Sequence, residues 1–349
     1  MPEDFHPRFA ATGIGSLPHT DPREAVADVL ARLPEMPYWP QLPARGPAED
    51  MNLQYAPALE PLLAPDYQGR RVVAFAGGER EAALAAFYER LFSGELEGFG
   101  LAPEMAAGLA AFLEAAAGSD CRWVKGQVTG PFTLASAVSG PDGKALLFDE
   151  EAAQALAQGL GAAAAAQAKQ LAVLGKPVVI FFDEPGLAGY GSAFTPASRE
   201  LVVGLLSAAF GEARGRAELI VGVHVCANTD WSLIVEAGAD ILNLDSFGYG
   251  DNLLLYPEAV SELMGRGGAV AWGAVPTQQW QGSETAAELW AGLERLLAGL
   301  EEKGLARELI ASQSLVTPSC GMGSLDPPRS RAILEATRQV SELARRHYG

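Results

Sequence analysis

Short runs of β-branched and aromatic residues alternate along the chain with longer stretches rich in Ala and Leu, the pattern of parallel strands joined by crossover helices. Eight strands are predicted, over 9–15, 37–42, 123–128, 177–183, 218–225, 239–245, 269–275 and 312–317. Several are nearly continuous in apolar residues, as in Val178-Val179-Ile180-Phe181-Phe182, which is expected of strands covered on both faces. Helices are predicted between them, most clearly over 150–174, 196–212, 284–302 and 328–347, with Thr195, Asp251 and Asp326 available near helix starts as caps. The alanine-rich run 159–168 belongs to the first of these, because alanine is the best helix former. Residues 51–120 are too many for a plain crossover and carry a helical stretch over 103–117, so they form an insertion after the second strand. The fold class is therefore α/β, and a single (β/α)8 TIM barrel over residues 1–349 is favoured over a doubly wound sheet, although spacing alone leaves the latter open.

Composition narrows the class of function. Hydrophobic residues make up 49% of the 349 and charged residues 19%, enough apolar material for a large core. Lys and Arg number 25 against 43 Asp and Glu, and the net charge of −18 disfavours a nucleic acid or an anionic membrane as partner. No stretch reaches the roughly 18 unbroken apolar residues of a membrane span, and Met1 to His6 lack a basic-then-apolar signal pattern, so a soluble, cytoplasmic protein is expected. Three cysteines, Cys121, Cys226 and Cys320, are too few and too odd for a disulfide framework, which also suits a reducing compartment.

In a barrel the chemistry gathers where strands finish. The fifth predicted strand ends in His224-Val225-Cys226, and residues two apart in an extended chain project to one side, so His224 and Cys226 can share a ligand. The sixth ends at Asp245 and the eighth runs into Cys320. An imidazole nitrogen, two thiolates and a carboxylate suit zinc, although a cysteine taken alone is most often packing and an aspartate after a strand is often a cap. Cys121 falls at the start of the third strand, at the other end of the barrel, and is expected to be structural. Gly126 to Pro131 make a strand-to-helix turn or, less commonly for such residues, a backbone cradle. Trp272, Trp280 and Tyr249 could face a flat cofactor, but aromatics of a large core usually pack.

The blocks Ile14-Gly-Ser-Leu-Pro18, Asp183-Glu-Pro185, His224-Val-Cys226, the strand end at Asp245 and Pro318-Ser-Cys320-Gly321 resemble, in this order, the catalytic barrel of cobalamin-independent methionine synthases. That family belongs to a superfamily that also holds uroporphyrinogen decarboxylases and coenzyme M methyltransferases. The resemblance implies a zinc site of His224, Cys226, Asp245 and Cys320 that binds the thiol of homocysteine and makes its thiolate available for methylation. It gives Asp183 to the substrate ammonium and Ile14, Gly15 and Ser16 to the rest of the amino-acid moiety. The family's usual ligand at the position of Asp245 is Glu. Its second ammonium-binding Glu follows strand two, where this chain has Ala48-Glu49-Asp50-Met51, so Glu49 corresponds.

Two departures bear on the methyl donor. Folate-using members carry a further N-terminal barrel, for which this length has no room, and a His just after strand seven, where this chain reads Gly273-Ala-Val-Pro276-Thr-Gln-Gln-Trp280. An amine leaving group needs a proton, whereas cobalt(I) leaving a methylcorrinoid does not. A methylcorrinoid, carried on a partner protein, is the expected donor to homocysteine. Methyl transfer to a coenzyme M-type thiol, and a non-catalytic zinc- or thiol-binding protein, are the alternatives. Porphyrinogen decarboxylation has no need of the His and Cys set.

Overall fold

The structure, a computed structural model, describes residues 5–75, 78–191 and 197–348. In chain order the strands are β1 (Ala10–Ala11), β2 (Leu63–Asp66), β3 (Arg71–Ala74), β4 (Val124–Thr129), β5 (Val178–Asp183), β6 (Ile220–Val225), β7 (Ile241–Leu244), β8 (Ala269–Val275) and β9 (Ser314–Pro318). Seven pair in parallel in the order β1-β9-β8-β7-β6-β5-β4, a curled sheet surrounded by helices, while β2 and β3 form a separate antiparallel hairpin. The helices are α1 (Pro22–Arg32), α2 (Arg80–Phe92), α3 (Ala107–Ala116), α4 (Pro131–Ala137), α5 (Glu150–Ala172), α6 (Arg199–Arg216), α7 (Trp231–Glu236), α8 (Ser246–Leu253), α9 (Pro257–Gly265), α10 (Ala286–Glu302), α11 (Arg307–Ser312) and α12 (Pro327–Tyr348). Among the described residues no single helix is long and apolar enough to cross a membrane.

The predicted second strand is the main departure. Residues 37–42 form no strand but join the two edges of the sheet through isolated parallel bridges, Tyr38 to Lys125 and Gln41 to Ser16. Trp39 N–H donates to the Lys125 carbonyl at 3.2 Å, and Gln41 N–H to the Gly15 carbonyl at 3.1 Å. Pro37, Pro40 and Pro43 lack the N–H groups a regular ladder needs, so the eighth stave of the barrel-like ring is held by bridges alone. The insertion adds the β2–β3 hairpin, α2 and α3, the last beginning at Ala107 after a short 3-10 turn at Pro103–Met105.

Helix starts follow local capping chemistry. The side chains of Asp21, Asp149, Ser198, Asp230, Asp245 and Thr285 accept from first-turn N–H groups of α1, α5, α6, α7, α8 and α10. Asp326 accepts from Arg329 N–H at 2.9 Å, as expected. Asp251 is not a cap: α8 starts at Ser246, which puts Asp251 inside the helix, paired with Arg295 at 2.6 Å. Thr195 and Pro196 lie outside the described residues.

The continuous apolar strands are covered on both faces. Val179 and Phe181 face the interior of the ring with Phe5, Met36, Trp123, Ile220, Ile241 and Leu315, whereas Val178, Ile180 and Phe182 join the core beneath the helices. Gly222 makes this filling possible, since a Cβ there would lie 2.2 Å from the Phe181 ring. Further along each strand the inward positions turn polar, at Asp183, His224, Asn243 and Thr317. An apolar floor therefore supports a polar mouth at the carboxyl ends of the strands.

Glu184, just past β5, is fully buried and accepts from the N–H groups of Phe132 (3.0 Å) and Thr133 (2.7 Å) and from the Thr133 hydroxyl (2.5 Å). The cap residue of α4, Gly130, has no side chain, so a carboxylate from the neighbouring strand satisfies its first turn. Burial pushes this carboxyl up to about 7 despite those bonds. Glu184→Ala is expected to remove about 3 kcal/mol of unfolding free energy, because it leaves buried donors unpaired. Urea denaturation checks this, and a loss below about 1 kcal/mol would show that water replaces the carboxylate.

Candidate metal centre

His224 and Cys226 end β6 two residues apart, and Cys320 follows β9. Their ligand atoms, one imidazole nitrogen and two sulfurs, all lie within 4.8 Å of one another, the only such group among the described residues. His224 is buried and the two cysteines are half-buried. The order of the sheet explains the meeting, because β6 and β9 curve toward each other across the mouth with β7 and β8 between them.

The imidazole is fixed from behind. Asn243 on β7 donates both amide hydrogens, to the Ala271 carbonyl at 2.8 Å and to the Thr317 hydroxyl oxygen at 2.9 Å. Its Oδ1 is thereby turned to His224 Nδ1, 2.5 Å away, and accepts that proton. Nε2 is left buried and without a hydrogen-bond partner. An orphaned imidazole nitrogen facing two thiols fits a zinc ion, which takes nitrogen and sulfur ligands and selects neutral imidazole through an outer hydrogen bond. Asn243→Ala is expected to weaken zinc binding about 10- to 100-fold with the three ligands intact. Competition with a chromophoric chelator measures it, and unchanged affinity would remove Asn243 from the site.

The hydrogen bond to Cys320 and the neighbouring His224 push the Cys226 thiol down, while the same bond and burial push Cys320 up. Asp183 ends β5 in register with His224, and its Oδ1 is buried with no partner. Burial pushes its carboxyl up, against the opposing charges of His224 and Lys125.

The other expected residues are placed as follows. Asp245 stands close enough for His224 and Cys226 to act on its charge, but its Oδ1 accepts from Gly248 N–H at 2.8 Å as the cap of α8, and it lies outside the triad. Glu49 is buried with both oxygens engaged, by Leu42 N–H at 3.0 Å and Arg45 Nε at 2.8 Å, so it holds its own loop. Ser16 receives the Met322 N–H on its carbonyl (3.0 Å) and the Gly323 N–H on its hydroxyl (3.2 Å), which seats Ile14, Gly15 and Ser16 against the Cys320 turn. A Cβ at Gly321 would lie 2.3 Å from Ser16 Oγ, so the turn approaches this closely only with glycine there. Cys121 is buried at the opposite end beside Ser119 and belongs to no group of three metal-capable residues among the described residues. Trp272 packs under the helices with its indole N–H on Ser314, not in the mouth. Lys125 is a functional candidate that the sequence reading misses, although a lysine within a fully buried strand is itself a signal.

A curled parallel sheet with a nitrogen and two sulfurs converging at its carboxyl-end mouth defines an α/β protein with a candidate thiolate-type metal site. No protein-family model matches the chain, and no curated protein sequence matches it. Among solved structures it is similar to a B12-independent methionine synthase from Shewanella sp. W3-18-1 in complex with selenomethionine. The identity is 20% over 68% of this chain and 67% of that one, with a TM-score of 0.48.

Proposed function

We propose that the protein is a zinc-dependent methyltransferase that converts homocysteine to methionine, taking the methyl group from a methylcorrinoid carried on a partner protein. The observation that carries this reading is the unpartnered Nε2 of His224 converging with the sulfurs of Cys226 and Cys320, one strand from the unpartnered Oδ1 of Asp183. His224, Cys226 and Cys320 would hold the zinc, with Asp245 or water in a fourth position. Bound zinc would supply a lowered thiol pKa, so that a substrate sulfur is nucleophilic at neutral pH.

The chain's own residues do the rest. Asp183 would accept the substrate ammonium, exchanging a costly orphan oxygen for a charge-assisted bond. Ser16, seated on the Cys320 turn, would meet the carboxylate end. Methylation forms a sulfur–carbon bond as the donor's carbon–cobalt bond breaks, with the bonding pair remaining on cobalt. No proton is required. This agrees with where the other imidazoles lie: His6 faces Gln313, His19 Asp28 and His347 Glu294. The cytoplasm, where both thiols stay reduced, is the fitting compartment.

Purified protein given homocysteine and methylcobalamin is expected to form methionine, followed by mass spectrometry. No methionine from methylcobalamin or from a methylcorrinoid protein would overturn the proposal, and methylation of coenzyme M instead would reassign the thiol.

A further inference from the structure

Lys125 stands second in β4, and its side chain is completely buried. One of the rings beside it, Phe181, belongs with Trp123 and Val179 to the enclosed apolar cluster. Burying an ammonium in such surroundings costs several kcal/mol unless it is used. Its Nζ donates to the Ile14 carbonyl at 2.5 Å and lies 4.4 Å from the centre of the Phe181 ring and 5.7 Å from that of Tyr38. Asp183 is the carboxylate whose charge acts on it.

Ile14 opens the segment that reaches the metal centre. The next residue, Gly15, packs on Gln127, whose Cδ would lie 2.8 Å from a Cβ at that glycine. The residue after that, Ser16, holds the turn that carries Cys320 through the N–H groups of Met322 and Gly323. A bond on the Ile14 carbonyl therefore sets the plane of the peptide on which Gly15 and Ser16 depend.

We infer that Lys125 is a positioning residue: its ammonium holds the Ile14 carbonyl and balances Asp183, so that the Ile14–Ser16 backbone and the Asp183 carboxylate are set to receive the two ends of an α-amino acid. The amino-acid part of this inference rests on the function proposed above; the backbone part does not.

Lys125→Met in the full chain keeps length and burial while removing the charge, and some loss of stability is expected because one partner of a buried charge pair is removed. Hydrogen exchange followed by mass spectrometry is expected to show the amides around Gly15 and Ser16 exchanging about tenfold faster, the size of one lost charge-assisted bond, with β5 to β8 unchanged. The KM for homocysteine is expected to rise by about tenfold with little change in kcat, and by clearly less in an Asp183→Asn background. Unchanged exchange at Gly15 and Ser16 overturns the positioning role. A KM effect of equal size in both backgrounds overturns the link to Asp183. Parallel loss of thermal stability and zinc content would reduce Lys125 to core packing. If the parent protein neither binds nor methylates homocysteine, the proposed substrate fails while the exchange result still decides what Lys125 holds.

Discussion

Cys226→Ser will yield a folded protein without zinc, where the parent purified without added metal carries about one zinc per chain. Serine keeps the size of the side chain but replaces a thiolate by a hydroxyl that stays protonated at neutral pH and is a hard, weak ligand for zinc. His224 and Cys320 remain, and two donors make a poor site. Zinc held entirely by protein ligands is worth about 10–16 kcal/mol in small domains, so losing one of three or four donors should cost about 4 kcal/mol, roughly a thousandfold in affinity. Methyl transfer should fall with the metal. Cys121→Ser is the matched control, because Cys121 is buried beside Ser119 at the far end of the strands and should leave the zinc content unchanged. Metal analysis of both variants decides the matter: zinc retained at parent level after Cys226→Ser would refute the triad as the metal centre.

The second large effect concerns the donor. Methylcorrinoid should support turnover, and methyltetrahydrofolate, even polyglutamylated, should be slower by the contribution of a general acid, about 10²–10⁴-fold. The leaving nitrogen of a reduced folate must be protonated as the methyl group departs. His224 is committed through Nδ1 to Asn243, with Nε2 turned to the thiols, and the remaining three histidines are paired elsewhere. Beyond β8 the structure has Thr277, buried and 3.2 Å from the Ser319 hydroxyl, a pair of groups too weakly acidic to replace an imidazolium. Initial rates with the two donors at equal homocysteine test this directly. Folate-dependent methionine formation by the purified chain at a rate matching the corrinoid reaction would overturn the donor assignment.

How far the sequence reaches depends on the range of the physics involved. The alternation of apolar strands with alanine- and leucine-rich helices specifies an α/β chain, because strand and helix periodicity are local and each strand's two buried faces are visible as an unbroken apolar run at Val178 to Phe182. The pairing of His224 with Cys226 is equally local, since residues two apart on a strand must share a side. The meeting of Cys320 with that pair, some 94 positions away, could be expected only through the resemblance and is produced by the closing of the sheet. Three features were decided by tertiary structure alone. The prolines of 37–42 forbid a regular ladder, yet the segment still bridges the sheet edges through Tyr38 to Lys125 and Gln41 to Ser16. Asp245 and Glu49, whose chemistry suits a ligand or an ammonium partner, are drawn to the first turn of α8 and to Leu42 N–H with Arg45, since the nearest unpaired donors claim a carboxylate first. Lys125 looks like a misplaced charge in the sequence, and only the fold brings the Ile14 carbonyl, 111 residues distant along the chain, to within 2.5 Å of its ammonium.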